Sequence, residues 1–252
     1  MRRFIIFIIT VLVSLSLSAA LPFQPESLHY KVMFKWGLIN KKAGSATLTL
    51  HHNDSGYVSQ LTAKSEPWAD RIYKVRDTLN GRMDNRMVPL FYEKIAHESG
   101  DFKHDELHYD YSQAPVVKAL CTRKVYKKDK LRTDETRELE AEDEVVDMLT
   151  SFYYMRRLPF QDWHLGQVRE LTIFSGKQKE KLSIKYDGIC SIDISDTKIE
   201  VYHITFVFTS KGGKKSSDDM EAWITADDRR IPVKLEGKLP VGKVQCIYTG
   251  AL

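Results

Sequence analysis

Cysteine is scarce in this sequence, with three in 252 residues, at Cys121, Cys190 and Cys246. Small exported domains that depend on disulfides carry many closely spaced cysteines, so a disulfide framework is excluded. We favour three reduced and buried thiols. If one disulfide forms, Cys190 with Cys246 is the first choice, because both lie in predicted C-terminal strands.

An excess of charge of one sign is also lacking. Lys and Arg number 38 against 34 Asp and Glu, which gives a formal charge of +4 with histidine neutral. Two of the basic residues, Arg2 and Arg3, lie in a segment expected to be removed, which leaves about +2. Proteins that bind nucleic acid concentrate basic charge on one face, so no nucleic acid is expected as a partner.

Long hydrophobic runs are limited to one, Phe4–Leu17, which follows a basic start. With the small residues Ser18-Ala19-Ala20 after it, this is the pattern of a secretory signal peptide. We expect residues 1–20 to be a signal peptide, cleaved after Ala20, and the chain to be periplasmic. An uncleaved membrane anchor is the alternative. No second run follows, so no transmembrane span is expected after cleavage.

Period-two alternation dominates the rest of the chain and predicts β-strands. Tyr30, Val32 and Phe34 alternate with Lys31 and Lys35. Turn signals separate further strands, at Asn53-Asp54-Ser55-Gly56, Asn80-Gly81 and Ser99-Gly100. We expect an all-β dominated fold, a large curved antiparallel sheet or open barrel of roughly a dozen strands. Residues 21–252 are expected to form a single β-rich domain.

One long amphipathic helix is predicted, over Asp143–Pro159, inserted in the sheet or packed against it. One half of its wheel carries the apolar side chains of Val145, Val146, Met148, Leu149, Phe152, Tyr153 and Met155. The preceding segment, Lys127–Glu144, is basic and then acidic, which indicates a solvated linker. The domain therefore divides into a β-rich half (21–127), a charged linker with the helix (128–158) and a second β-rich half (159–252).

The apolar face of this helix supplies the candidate ligand-binding residues. A curved sheet beside a helix leaves an apolar cavity as the default ligand site, which Met148, Phe152, Tyr153 and Met155 would line. Arg156 lies near the middle of the same face. Its head is expected to reach water from the last helical turn, to form a structural ion pair with a loop carboxylate, or to meet an acidic ligand head group.

The candidate motifs for a metal, a cofactor or catalysis lack the residue spacing or the neighbouring residues that such sites require. His104 and His108 lie on a predicted strand, where residues four apart stand about 13 Å apart and cannot share one metal. The near P-loop Gly237–Lys243 continues into Val244 and a strand, without the required Ser or Thr and helix. The adjacent acids Asp218-Asp219 and Asp227-Asp228 are typical of turns. No metal, cofactor or catalytic residue is expected.

Three blocks of the sequence resemble the domain of unknown function 3108 family. They are Asp147–Pro159, the strand Tyr30–Ile39 with the following Ala43-Gly44, and the hairpin Trp223–Val233. The blocks occur in family order and span nearly the whole chain after the signal. The resemblance implies a bacterial envelope protein with a β-rich fold. It brings no known activity and no catalytic residues.

Three functional hypotheses follow, in order of preference. The first is a non-enzymatic exported protein of the cell envelope that binds a lipid-like or other apolar small molecule. The second is an interaction or scaffold module of envelope assembly without a ligand, whose protein partner would engage an exposed edge strand or the Lys127–Glu144 segment. The third is an envelope glycan hydrolase that uses carboxylates near Asp227 and Asp228.

Overall fold

The structure is a computed structural model that describes residues 23–142, 144–194, 196–210, 215 and 217–250. The predicted signal peptide lies outside this part of the chain. The first strands are β1 (Glu26–Trp36), β2 (Ile39–Asn53), β3 (Gly56–Ser65), β4 (Val75–Met83), β5 (Pro89–Glu98), β6 (Asp101–Asp110), β7 (Val117–Lys127), β8 (Lys130–Ala141) and β9 (Val145–Val146). The helix α1 (Thr150–Arg157) follows. The remaining strands are β10 (Val168–Phe174), β11 (Lys179–Ile194), β12 (Thr197–Thr209), β13 (Met220–Thr225), β14 (Pro232–Lys238) and β15 (Lys243–Tyr248). Single 3-10 turns cover Ala69–Arg71 and Phe160–Asp162.

All of these strands belong to one sheet of 15 strands, ordered β8 to β1, then β15 down to β9. Neighbours are antiparallel except β9 and β10, and β1 pairs with β15 to join the two arms. The sheet curls into a nearly closed barrel. Side chains from β7 and β8 reach the β10–β11 turn: the Cys121 thiol donates to the Gly176 carbonyl at 2.9 Å, and Arg137 donates to the Lys177 carbonyl at 2.8 Å. The all-β architecture is confirmed, with more strands than the predicted dozen.

The prediction that the charged segment Lys127–Glu144 is a linker is wrong, because most of this segment forms strand β8. This strand pairs with β7 along its whole length, from Lys127↔Lys130 to Val117↔Ala141. Its inner positions end in Leu139 and Ala141, while its middle carries charged residues on both faces. Charged side chains are tolerated on an edge strand, where one face and one edge remain in water. The composition therefore indicated solvent exposure correctly and the secondary structure wrongly.

The prediction of a long helix over Asp143–Pro159 is also wrong, because α1 has only eight residues. Val145 and Val146 are instead paired with β10, as suits β-branched side chains. The buried Asp147 carboxylate then accepts hydrogen bonds from the backbone N–H groups of Leu149 (2.9 Å) and Thr150 (2.7 Å), which start the helix. At its other end Leu158 is extended, as expected before Pro159.

The turn predicted at Asn80-Gly81 is wrong as well. Both residues lie inside β4, where Gly81 is paired with Tyr92 of β5. A Cβ on Gly81 would stand 3.0 Å from the Leu149 side chain, so the glycine lets the segment before α1 approach the sheet closely. The turns at Asn53–Gly56 and Ser99-Gly100 are confirmed.

The cysteines are all free, with Cys121 buried and Cys190 exposed. Cys190 lies on β11 and Cys246 on β15, with three strands between them. Four strand spacings of about 4.8 Å separate them by roughly 19 Å along the sheet, whereas a disulfide requires Cα atoms within about 7 Å. The expectation of three reduced thiols agrees with this arrangement, but the expected burial holds only for Cys121, because Cys246 is partly buried and Cys190 is exposed.

Candidate functional site

Helix α1 lies inside the barrel with most of its surface packed, while Arg157 at its C-terminal end is exposed. Tyr153, Met155 and Arg156 are buried, Phe152 is partly buried, and Met148 precedes the helix and is 39% exposed. The Tyr153 hydroxyl is 2.8 Å from the Ser59 hydroxyl of β3, and its ring lies 5.7 Å from the Phe23 ring. The polar side chains of Thr150 and Ser151 are buried too. The helix therefore fills the barrel interior at this level.

Arg156 is held by partners within the protein. Its guanidinium forms a two-pronged ion pair with Glu26 at the start of β1, and donates to the carbonyls of Arg229 (2.9 Å) and Arg230 (2.8 Å). The Phe23 ring lies 4.2 Å from its central carbon. Of the three interpretations drawn from sequence, the structural ion pair matches these contacts. That the five residues Met148, Phe152, Tyr153, Met155 and Arg156 bind a ligand stays a prediction.

An apolar pocket lies elsewhere, at the opposite end of the same strands. Along the inner face of β2 the side chains shrink from Leu50 and Leu48 to Ala46 and Gly44. At the positions of β3 that pair with Leu48, Ala46 and Gly44, the side chains shrink in the same direction, from Leu61 to Ala63 and Ser65. Because α1 fills only the end with the large residues, the small residues leave a pocket of about 290 Å³.

The walls of this pocket come from five strands, the loop 66–74 and the β14–β15 turn. Its lining includes Val32, Phe34, Gly44, Ala63, Val75 and Val244. A β-bulge between Val32 and Met33 shifts the pairing of β1 with β2 at this level. None of the described residues that line the pocket is acidic. Such a surface offers dispersion and hydrophobic contacts to a ligand, and the described lining has no carboxylate or imidazole to act as a general acid or base.

The loop 66–74 closes one side of the pocket with Trp68, Ala69, Ile72 and Tyr73. The Trp68 indole donates to the Lys42 carbonyl at 2.7 Å, and Lys41 lies over its ring at 4.7 Å. At the base of the loop Asp70 accepts two hydrogen bonds from Arg76, at 3.1 and 2.8 Å. These bonds hold the pKa of the Asp70 carboxyl below its usual range. The loop is thereby fixed to β2 and β4.

Sequence reasoning missed this pocket because it looked for large apolar side chains. The available signal was the opposite one, small residues at Ala43-Gly44-Ser45-Ala46 and Ala63 in strands whose inner faces are otherwise large and apolar. A Cβ on Gly44 would stand 2.5 Å from the Lys64 carbonyl, so only glycine permits the local approach of β2 to β3.

The other motifs have structural roles. His104 bonds Glu93 at 2.8 Å and His108 bonds Glu106 at 2.6 Å, so the two histidines have different partners. The ligand atoms of Glu93, His104 and Glu106 lie within 4.8 Å of one another, an arrangement common on sheet surfaces without an ion.

Asp227 and Asp228, the acids of the glycan-hydrolase hypothesis, lie in the turn between β13 and β14, as predicted, and Asp218-Asp219 directly precede β13. The Asp227 carboxylate accepts from the Arg230 N–H at 3.2 Å and from the Thr225 hydroxyl. Asp219 pairs with Lys215 at 2.7 Å. The near P-loop forms the turn between β14 and β15.

These features define a class: barrel-like β-proteins with an internal helix and an apolar pocket at one end. Within it, the chain belongs to the family described as "Protein of unknown function (DUF3108)", which matches residues 29–247. This confirms the resemblance drawn from the three sequence blocks.

The fold is similar to the crystal structure of a beta-barrel-like protein of the domain of unknown function DUF1849 from Brucella abortus. The TM-score is 0.62 at 10% identity, over 89% of this chain and 95% of that one, which is a likeness of fold alone. No curated protein matches the chain. Among the described residues, no helix has the length and apolar character needed to cross a membrane.

Proposed function

We propose that the protein is exported to the periplasm and binds one hydrocarbon chain, or an apolar molecule of similar size, without catalysing a reaction. The observation that carries this proposal is the apolar pocket, in which small side chains replace the large ones that fill the rest of the barrel. The pattern of residues 1–20 supports export.

The size of the pocket argues for one chain rather than a whole diacyl lipid. Ligand pockets span roughly 300–1,000 Å³, and this one, at about 290 Å³, lies at the lower limit. Each buried methylene contributes about 0.8 kcal/mol, so removing two methylenes from a seated chain should weaken binding about 15-fold. A carboxylate head group left at the mouth would meet basic rather than acidic side chains, as described below.

Titration with fatty acids tests the proposal, with tryptophan fluorescence as the readout because Trp68 lines the pocket. We expect dodecanoate to change the emission saturably, decanoate to bind about 15-fold more weakly, and Trp68→Phe to remove most of the signal. Mass spectrometry of the exported protein should find an N-terminus at Leu21. An N-terminus at Met1 would contradict export with cleavage after Ala20.

A matched pair of variants locates the binding. Ala63→Leu puts extra volume into the pocket, whereas Thr62→Leu makes a comparable change at the adjacent, exposed position on the other face of β3. We expect Ala63→Leu to weaken dodecanoate binding at least tenfold and Thr62→Leu to leave it unchanged. Equal binding by both variants and the parent would refute the pocket, and the absence of any saturable signal would refute the function.

A further inference from the structure

The end of the barrel at which the pocket opens carries large apolar side chains that are exposed. We call six of them the apolar rim: Trp36, Leu38, Ile39, Ile72, Leu239 and Val241. Trp36 is 56% exposed, Ile72 is 76% exposed, and Leu38 is fully exposed. Exposed apolar residues are ordinary when they are scattered, but a group of them around one opening marks an interaction surface.

The rim comes from three segments that lie next to one another. Lys35 is paired with Lys243, so the β1–β2 turn and the β14–β15 turn are neighbours at this end. A Cβ on Gly242 would stand 3.0 Å from the Trp36 side chain. Ile72 of the loop 66–74 and Leu239 of the β14–β15 turn line the same pocket. The rim therefore surrounds the pocket mouth.

Basic side chains dominate the same three segments, which span residues 35–42, 66–74 and 238–243. The basic residues are Lys35, Lys41, Lys42, Arg71, Lys74, Lys238 and Lys243, and the acidic ones are Glu66 and Asp70. Lys42 pairs with Glu66, and Lys243 pairs with Glu236 of β14. At the other end of the barrel the turns 53–55, 84–88 and 226–231 hold Asp54, Asp84, Asp227 and Asp228 against three arginines. Positive charge is thus concentrated around the rim.

We propose that the apolar rim docks on the surface of an anionic phospholipid bilayer, with the pocket mouth facing the lipid. Tryptophan and aliphatic side chains that enter the interface, surrounded by lysine and arginine, are the composition of membrane-surface elements. Lysine is depleted at protein–protein interfaces, so this composition argues against a protein partner. In naming lipid as the source of the pocket's ligand the inference rests on the proposed function; the docking itself does not require an occupied pocket.

Sedimentation with vesicles of phosphatidylcholine alone, or with about 30 mol% phosphatidylglycerol, tests the docking. The protein is used in the form that the cell exports, and any retained N-terminal segment is common to all variants. We expect association with the anionic vesicles only, and a loss of at least tenfold in partitioning when about 0.5 M salt is added.

Two pairs of variants locate the surface. Arg71→Gln with Lys238→Gln should lower partitioning about 25-fold, since each basic residue near an anionic surface contributes roughly a factor of five. Leu38→Ser with Val241→Ser should lower it at least tenfold. The matched controls are Arg86→Gln with Lys198→Gln and Leu90→Ser with Leu120→Ser, which are exposed away from the rim. Both controls should bind as the parent does.

Failure of the docking and failure of the pocket are distinguishable. None of the four residues changed, Leu38, Val241, Arg71 and Lys238, lines the pocket, so these variants should keep dodecanoate binding, while Ala63→Leu should keep vesicle binding. Vesicle association without dodecanoate binding would sink the proposed function and leave the docking. The docking proposal is overturned if the parent protein does not bind anionic vesicles, or if the Arg71/Lys238 and Leu38/Val241 variants bind them as the parent does. It is also overturned if the rim mediates self-association in solution instead.

Discussion

Replacement of Arg156 by methionine should destabilise the whole barrel. The side chain is 1% exposed and connects α1 to Glu26 and to the carbonyls of Arg229 and Arg230. Its removal leaves a carboxylate that is only 21% exposed without its cation, and two carbonyls without their donors. Breaking a buried ion pair from one side costs about 3–5 kcal/mol. For a domain of this size that corresponds to a fall in melting temperature of about 10 °C.

The assay is chemical unfolding of four proteins: the parent, Arg156→Met, Glu26→Gln and the double variant. Glu26→Gln should cost less than Arg156→Met, because the glutamine still accepts one hydrogen bond and the arginine keeps both carbonyls. The double variant should be more stable than the sum of the single losses predicts, by about 1–3 kcal/mol, because the two groups are in direct contact. Arg156→Lys keeps the charge and loses the two-pronged geometry, so it should fall between the parent and Arg156→Met.

A loss of less than about 1 kcal/mol in Arg156→Met would refute this reasoning, since it would mean that the buried guanidinium contributes little net stability. The same variant also decides between the sequence-based interpretations of Arg156. If it stays folded and loses dodecanoate binding, the arginine holds an acidic head group. If it loses stability and the folded fraction still binds dodecanoate, the arginine is structural.

Two further predictions concern titratable groups inside the barrel. Burial raises the pKa of Asp147 to about 6, so the folded protein holds this proton more tightly than the unfolded chain does. Asp147 should therefore contribute a fall of about 3 kcal/mol to the free energy of unfolding as the pH rises from about 4 to about 6, and urea titrations of Asp147→Asn should lack this contribution; an identical slope in both proteins would contradict the assignment. Burial also raises the pKa of the Cys121 and Cys246 thiols to about 11, whereas Cys190 is exposed. A maleimide should label Cys190 alone in the native protein, as peptide mapping would show, and a native Cys190–Cys246 disulfide would contradict this.

The strands were predictable because the barrel has one inner and one outer face. In β1, Leu28 and Tyr30 are buried while Ser27 and His29 are exposed, so the burial of side chains follows the period of two that the sequence displays. The hairpins at Asn53–Gly56 and Ser99-Gly100 were predictable because their turn residues, which are adjacent in sequence, fix them. The number of strands was underestimated where a strand such as β8 is polar on both faces.

The helix boundaries were not predictable from the apolar pattern. Val145, Val146 and Leu149 fit a helical wheel, but the first two are paired with β10, which lies some 25 residues further along the chain. The role of Arg156 depended on Glu26, which is 130 positions earlier. Neither contact leaves a local signature, because both are created by the closure of the sheet.

The pocket was hidden for a different reason, because it is defined by missing side-chain volume. Gly44 and Ser65 are ordinary residues in a strand, and only the pairing of β2 with β3 shows that they occupy one level of the interior. The exposed residues of the apolar rim lie in turns or at the strand ends beside them, where single apolar residues carry little information. Their meaning depends on three turns that are adjacent only in the folded chain.

One end of the barrel interior is filled by packed side chains and the other end is not, and this difference argues for a binding protein over a scaffold. At one end α1 is fixed by Arg156 and by the bond from Tyr153 to Ser59, and large residues pack around it. At the other end apolar walls enclose unfilled space, although filling such space with larger side chains is normally worth about 1 kcal/mol or more per site. A scaffold needs only its outer surface and would lose nothing by a filled interior. A protein that binds an apolar chain needs the space itself. It also needs that space to open to the outside, as the pocket does beside the exposed Trp36 and Leu38.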